Sequence, residues 1–444
     1  MPNIKLLEAQ WLSDVKQAVA FAEKSFGEDV VSTRNALYAL WLTVDQSPGS
    51  IRDLFRQFKE EDLAKAAEDI TAKELFTNLP LVVGSVAERT KLLYALAVRI
   101  RALEAALHEI SGDEPIRHEN QCLATYGEAE AFILLRKPRN RTAATKQSFR
   151  RRGLVSSRVF PRLIKGYRVR FLLPDDPRGR KRAAARQALS FGAGLFENMK
   201  FDVGHDTDGF FIRDVSIPGQ LATIRDHIAV ASSSECHGIV YPELTITRDT
   251  LLQIRDAIGT GEWKCDLSVL VAGSRHEEIE KQRFNICSIL SGYGEEIAQH
   301  RKLLQYSDGD QVESIQLGDE LQILILPDAI FAFGICLDFC NTSEDPPYAD
   351  LDVDYVLVPS CGNERTMSGH VRRSAEYMDK QKTRTFVVQQ FYSERATGDV
   401  PLGYVLARCD DLTIQVKDLE KRNPGRFTIF EDTLHMDYWN EHPY

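Results

Sequence analysis

With 444 residues the chain is long enough for about three domains and a large buried core. At 43% hydrophobic and 27% charged residues it has the composition of an ordinary folded, soluble protein, which argues against a disordered or fibrous chain. The net charge of −10 is unevenly placed: between Arg136 and Arg186, 18 Lys/Arg meet only two acids, Asp175 and Asp176, so the remainder carries −26.

Residues 1–112 read as a helical domain. Leu7, Trp11, Val15, Ala18 and Ala22 fit one helical face, and Ser32 or Thr33 is placed to cap a second helix running through Leu37, Leu40 and Val44. Ser47-Pro48-Gly49-Ser50 breaks that helix from a third. A longer helix, Val86 to Ile110, sets Leu93, Leu96, Ile100, Leu103, Leu107 and Ile110 at alternating three and four spacing, a narrow seam suited to an internal bundle or an intermolecular zipper. The start, Met1-Pro2-Asn3-Ile4-Lys5, leads into this amphipathic pattern and not into a continuous apolar run, so no secretory signal is expected.

Residues 113–190 form a basic connecting region that includes Arg150-Arg151-Arg152 and Arg178-Gly179-Arg180-Lys181-Arg182, with Phe149, Phe160, Tyr167 and Phe171 interleaved. Cations with aromatics fit a surface for nucleic acid or another polyanion. They also fit a solvated linker or a segment that pairs with the protein's own acids.

From 191 to 444 short strands alternate with helices, as in a layered α/β domain. After a helix from Leu221 to Ser233, strands are expected near 238–243, 266–272, 284–290, 320–326, 330–336, 353–359 and 384–390, with helices at 249–258 and 369–382. The longest apolar tract, Leu321 to Phe339, is broken by Pro327-Asp328 and reads as two strands, not a membrane span. Eight cysteines (122, 236, 265, 287, 336, 340, 361 and 409) lie scattered without CxxC pairs, which suggests reduced thiols and a cytoplasmic protein. Cys336 and Cys340 are separated by three residues, but no nearby Cys/His pair completes a zinc set. HExxH, GxSxG and P-loop motifs are absent.

Three short stretches carry chemistry. In Gly334-Ile335-Cys336-Leu337-Asp338 a thiol follows the apolar run Ile330 to Phe333, where a buried strand would stop and a scaffold can present a nucleophile. In Gly238-Ile239-Val240-Tyr241-Pro242-Glu243 a carboxylate stands at a strand end after a proline that closes the ladder, suited to a general base. Gln299-His300-Arg301-Lys302, after a hairpin-like stretch with the turn Ser291-Gly292-Tyr293-Gly294, offers an ammonium.

Glu243, Lys302 and Cys336, each beside strand-like sequence, resemble the Glu-Lys-Cys triad of the carbon–nitrogen hydrolase (nitrilase) superfamily, with "YPELTIT", "RKLL", "GICLD" and the following strand "DYVLVPS" as matching pieces over roughly 200–420. The resemblance implies a four-layer αββα sandwich over 191–444 and no cofactor or metal. It implies homo-oligomers, dimers or larger, and an amide-type small-molecule substrate. It implies Cys336 as nucleophile, Glu243 as proton carrier, and Lys302 with the Leu337 N–H at the oxyanion. It also implies a supporting glutamate, for which Glu313 is the best match and Glu320 the rival. Cys336-Leu337-Asp338 is more similar to the amidase and carbamoyl-hydrolase branches than to the Cys-Trp-Glu of true nitrilases, so amide or ureido cleavage is expected. Two stretches depart from the pattern: Ser360 to Asn363, and Gln389-Gln390 where relatives often have Asn. A polyanion-sensing effector that uses the hydrolase domain, or a catalytically silent scaffold, are the alternatives.

Overall fold

A computed structural model describes every residue except 1–3, 28, 82–83, 112–115, 137–148, 150–152, 186, 208, 310, 344–345, 392–401, 408–426 and 433–444. Two units make up this mixed α/β chain, Met1–Leu163 and Ile164–Tyr444. The segment 113–190, expected to be one connecting region, is therefore divided between them.

In the first unit, α1 (Ile4–Ser25) and α2 (Val30–Asp45) pack through Trp11, Val15, Ala18 and Ala22 on one side and Leu37, Leu40 and Val44 on the other, all buried. Leu7, expected on the same face, is 41% exposed. The cap of α2 is Asp29 and not Ser32 or Thr33: its carboxylate accepts from the N–H groups of Val31 and Ser32, so the helix starts earlier. The short α3 (Gly49–Arg52) and α4 (Glu60–Glu68) follow, then α5 (Val86–Ser111). Leu93, Leu96, Ile100, Leu103 and Leu107 of α5 are fully buried in the same cluster as α1 and α2, so the seam is spent on an internal bundle. An antiparallel sheet of β1 (Leu123–Tyr126), β2 (Ala129–Leu134) and β3 (Arg158–Pro161) completes the unit.

The described part of the basic tract contributes β3 and three further elements given below. Phe149 is buried against Trp41 and Phe55, and Phe160 and Phe171 are buried as well, so these rings are not displayed for base stacking. Arg158 is fully buried; Arg162 pairs with Glu130, Arg168 with Asp319 and Glu320, Arg180 with Asp175, and Arg182 with Asp328. Arg162, Arg168, Arg180 and Arg182 thus pair with acids of their own unit, while Arg150, Arg151 and Arg152 lie outside the described residues.

β4 (Leu163–Ile164) spans the boundary, and the second unit goes on with β5 (Tyr167–Leu172), α6 (Pro177–Ala185), β6 (Leu189–Gly194), β7 (Lys200–His205), β8 (Gly209–Ser216) and α7 (Gln220–Ser233). Next come β9 (Gly238–Val240), α8 (Arg248–Gly259), β10 (Val269–Ile279), β11 (Gln282–Leu290), β12 (Glu296–Arg301), β13 (Ser307–Asp308), β14 (Gln311–Glu313), β15 (Glu320–Ile325) and β16 (Ile330–Phe333). The last described elements are α9 (Leu337–Cys340), β17 (Tyr355–Cys361), α10 (Glu364–Gln381), β18 (Arg384–Gln390), β19 (Gly403–Leu406) and β20 (Phe427–Asp432).

One six-stranded sheet runs β12-β11-β10-β9-β6-β20 and a seven-stranded sheet runs β19-β18-β17-β16-β15-β5-β4. The apolar residues that alternate along these strands form one core with members from both sheets, among them Phe191, Val240, Val271 and Ile289 of the first and Leu324, Phe331, Leu357 and Val388 of the second. The other face of the six-stranded sheet, through Ile239, Leu270 and Ala272, packs on Ile224 and Ile228 of α7 and Ile254 of α8. β10 and β11 join through Glu280-Lys281, both at positive φ (52° and 66°), the conformation that suits a two-residue hairpin to the strands' twist.

Candidate active site

Three strand ends converge. Glu243 lies just beyond β9, on a loop whose next residue, Leu244, has φ 59° and donates its N–H to Ser274 Oγ at 3.1 Å. The bulge in β10 between Val271 and Ser274 makes room for that loop. Gly273, at φ 59°, lies so close to the Pro242 carbonyl that a Cβ there would collide with it. Lys302 follows β12 immediately and its N–H donates to the Asn285 carbonyl at 2.9 Å. Cys336 sits three residues after β16, its N–H donating to Pro359 O at 2.9 Å. Its φ of 46° and ψ of −102° form a strained corner before α9, of the kind that accumulates at functional sites.

Lys302 Nζ bridges the two carboxylates, donating to Glu243 Oε1 at 2.9 Å and Glu313 Oε2 at 2.7 Å; all three residues are 2% exposed. Asn285 Nδ2 donates to Glu243 Oε1 (3.1 Å) and Glu313 Oε1 (2.9 Å). The Cys361 N–H donates to Glu243 Oε2 at 3.0 Å, and the Cys336 thiol reaches the Cys361 carbonyl at 3.5 Å, so one residue links nucleophile and base candidates. Glu313 also accepts from the Tyr306 N–H at 3.1 Å and from His276 Nε2 at 2.8 Å. Because His276 Nδ1 accepts the Ile212 N–H at 2.8 Å, Nε2 carries the proton that faces Glu313.

Burial opposes every charge here and the ion cluster answers it. Burial would lower Lys302, but Glu243 and then Glu313 hold its ammonium well above the usual lysine range. Burial would raise Glu313; the Lys302 charge, followed by the hydrogen bond and charge of His276, hold that carboxyl well below the usual range. Cys336 is pushed well up by its hydrogen bond with Cys340, by burial and by Glu243, with Lys302 opposing. One ammonium between two carboxylates leaves no spare positive charge for a thiolate. The resting thiol therefore keeps its proton.

The site thus gathers Glu243, Lys302, Glu313 and Cys336. Glu320 lies on β15, partly exposed and paired with Arg168. Several contributors went unpredicted. Asn285 and His276 are polar residues inside strands that also bury Ser274, Arg275 and Ser288, so no local signal singles them out. Asp338, read only as a neighbour of the nucleophile, is fully buried: Oδ1 accepts from the Leu303 (2.8 Å) and Leu304 (2.9 Å) N–H groups, and Oδ2 from the Ile335 N–H (3.0 Å). It ties the segment after Lys302 to the Cys336 corner. The two glutamines also have work: Gln389 bonds Ser360 and the Asn363 carbonyl, and Gln390 bonds Phe196 N, Phe196 O and Leu402 O.

Solved amidases are similar to this chain. One, a cysteine-to-alanine mutant of the amidase from Nesterenkonia sp. AN1 in complex with butyramide, is 14% identical, covering 58% of this chain and 94% of its own, with a TM-score of 0.39. A cysteine-to-serine mutant of the Nesterenkonia AN1 amidase, described as from the nitrilase superfamily, is 15% identical over 58% of this chain and 95% of its own, TM-score 0.37. A third structure of that amidase, with the acetamide moiety of fluoroacetamide added covalently at the active-site cysteine, is 15% identical over 61% of this chain and 97% of its own, TM-score 0.38. No protein-family model and no curated protein matches the chain.

Proposed function

We propose that residues 164–444 form a thiol amidohydrolase of the carbon–nitrogen hydrolase (nitrilase) type, built as a four-layer αββα sandwich, which cleaves a non-peptide amide or ureido bond. The observation that carries this reading is the buried Lys302 ammonium held between Glu243 and Glu313, beside a thiol at a strained strand end. An ion cluster with 2% exposure costs stability unless it is fully hydrogen-bonded, and here seven hydrogen bonds serve the two carboxylates.

In this mechanism Cys336 Sγ attacks the carbonyl carbon as its proton passes to Glu243. Lys302 Nζ and the N–H of Leu337, the first residue of α9, stabilise the oxyanion. Glu243 gives the proton to the departing amine or ammonia, leaving a thioester on Cys336. It then takes a proton from water as that water attacks, and the thiol returns with release of the acid. Glu313 does not touch substrate: with His276 and Asn285 behind it, it fixes the Lys302 ammonium. The first unit serves assembly or regulation in this reading. Buried aromatics and internally paired cations give a polyanion-sensing role less support.

Ammonia release from a panel of aliphatic, aromatic and carbamoyl amides tests the proposal. Turnover that disappears in Cys336→Ala supports it; turnover that persists in that variant, or none on any amide, counts against it.

A further inference from the structure

Cys336 and Cys340 stand at the two ends of α9, and the Cys340 N–H donates to the Cys336 carbonyl at 3.2 Å, so a single turn returns both sulfurs to one side. α10 brings a third ligand type. Gly369 lies against Cys340, where a Cβ would meet the Cys340 carbonyl at 2.9 Å, and this close approach delivers His370. The two sulfurs and an imidazole nitrogen of His370 all lie within 4.8 Å of one another, and all three residues are buried.

The ring's hydrogen bonds fix which nitrogen is free. Ser360 Oγ donates to Gln389 Oε1 at 3.4 Å and lies 3.1 Å from His370 Nε2, so Nε2–H donates to Ser360 and Nδ1 keeps a lone pair. Nδ1 is fully buried with no hydrogen-bond partner. A metal-ligating histidine characteristically donates its other N–H to a fixed acceptor, the arrangement Ser360 and Gln389 supply here. No sequence spacing announced the set, because His370 comes thirty residues after Cys340 on another helix.

We propose that Cys336, Cys340 and His370 bind a thiophilic divalent cation, with zinc as the natural occupant. Two thiolates and one imidazole select zinc, cobalt or cadmium over magnesium or calcium. With Zn–S near ~2.3 Å and Zn–N near ~2.0 Å, the ligand atoms close in by roughly 1 Å and leave a fourth position for water. Binding releases both thiol protons to solvent, and two thiolates and a neutral imidazole hold the ion. Since the amidohydrolase reading makes Cys336 the nucleophile, zinc acts as a reversible block on turnover; the binding itself does not depend on that reading.

Cobalt(II) titration of the reduced full-length protein reads the site directly, through the thiolate-to-cobalt charge-transfer band. One equivalent should develop the band, zinc should bleach it, Cys340→Ser should lose most of it, and His370→Gln should weaken cobalt binding at least tenfold. In the unmodified protein, zinc should protect Cys336 and Cys340 from iodoacetamide, read by peptide mass spectrometry, which keeps the test independent of whether the variants fold. The absence of a thiolate band, a band undiminished in Cys340→Ser, or alkylation unaffected by zinc would overturn the site. A band in a protein that hydrolyses no amide would leave the site standing and remove the proposed function instead.

Discussion

Removing the Asp338 carboxylate should cost the second unit a large part of its stability margin. Asp338 is 1% exposed and accepts three backbone N–H groups, those of Leu303, Leu304 and Ile335, at 2.8–3.0 Å. Asp338→Ala leaves all three donors without it. Leu303 and Ile335 are fully buried, and each such donor left unsatisfied costs about 1–3 kcal/mol; Leu304, half-buried, recovers part of its loss from water. The sum, about 2–7 kcal/mol, is a large part of the whole stability of a typical domain, about 5–15 kcal/mol. Asp338→Asn keeps one oxygen for Leu303 and Leu304 and turns an amide toward the Ile335 N–H, so about 2–3 kcal/mol is expected. Urea denaturation gives the two differences, and hydrogen exchange at the three amides assigns them to the right place. An alanine variant within about 1 kcal/mol of the parent would refute this account of the clamp.

Cys336→Ala should abolish turnover and leave the fold intact, whereas Cys340→Ala should retain most activity; the reverse pattern in steady-state assays would mean that the nucleophile is misassigned. Lys302→Met strands two buried carboxylates, so it should cost about 3–5 kcal/mol in denaturation as well as a hundredfold or more in rate; near-normal values of either would contradict the ion cluster. Burial pushes His370 down to about 3 from an ordinary 6.5, so the unfolded chain binds its proton first as pH falls. That contribution is complete above pH 6.5 and is lost on the way down toward pH 3, at about 1.4 kcal/mol per pH unit. His370→Gln should therefore flatten the stability profile below pH 6.5 by one proton's worth, and an unchanged slope would show that the ring is solvated.

The strand ends were legible because their signals are local. Apolar runs that stop at Cys336 and at Pro242-Glu243 mark where β16 and β9 deliver side chains, and the hairpin before Lys302 is β11 and β12. The α5 seam was legible too, but its use inside a bundle depended on which helices met it. What stayed hidden depends on contacts between distant segments. Asp338 holds residues 34 and 35 positions earlier, His276 braces Glu313 from 37 residues away, and nothing in the local pattern separates Glu313 from Glu320. The basic tract misleads for the same reason: its net charge is visible, whereas the pairing of Arg182 with Asp328 across 146 residues is a property of the fold.

The most direct test of the central claim is mass spectrometry of the protein quenched in acid during turnover of an amide found in the panel. A thioester, seen as the acyl mass on the peptide that contains Cys336, formed far more slowly in Glu243→Gln, which has no acceptor for the thiol proton, and absent from Cys336→Ala, is the result expected. An acyl group on Cys340, on Cys361 or on a residue outside this cluster, with turnover intact, would contradict it.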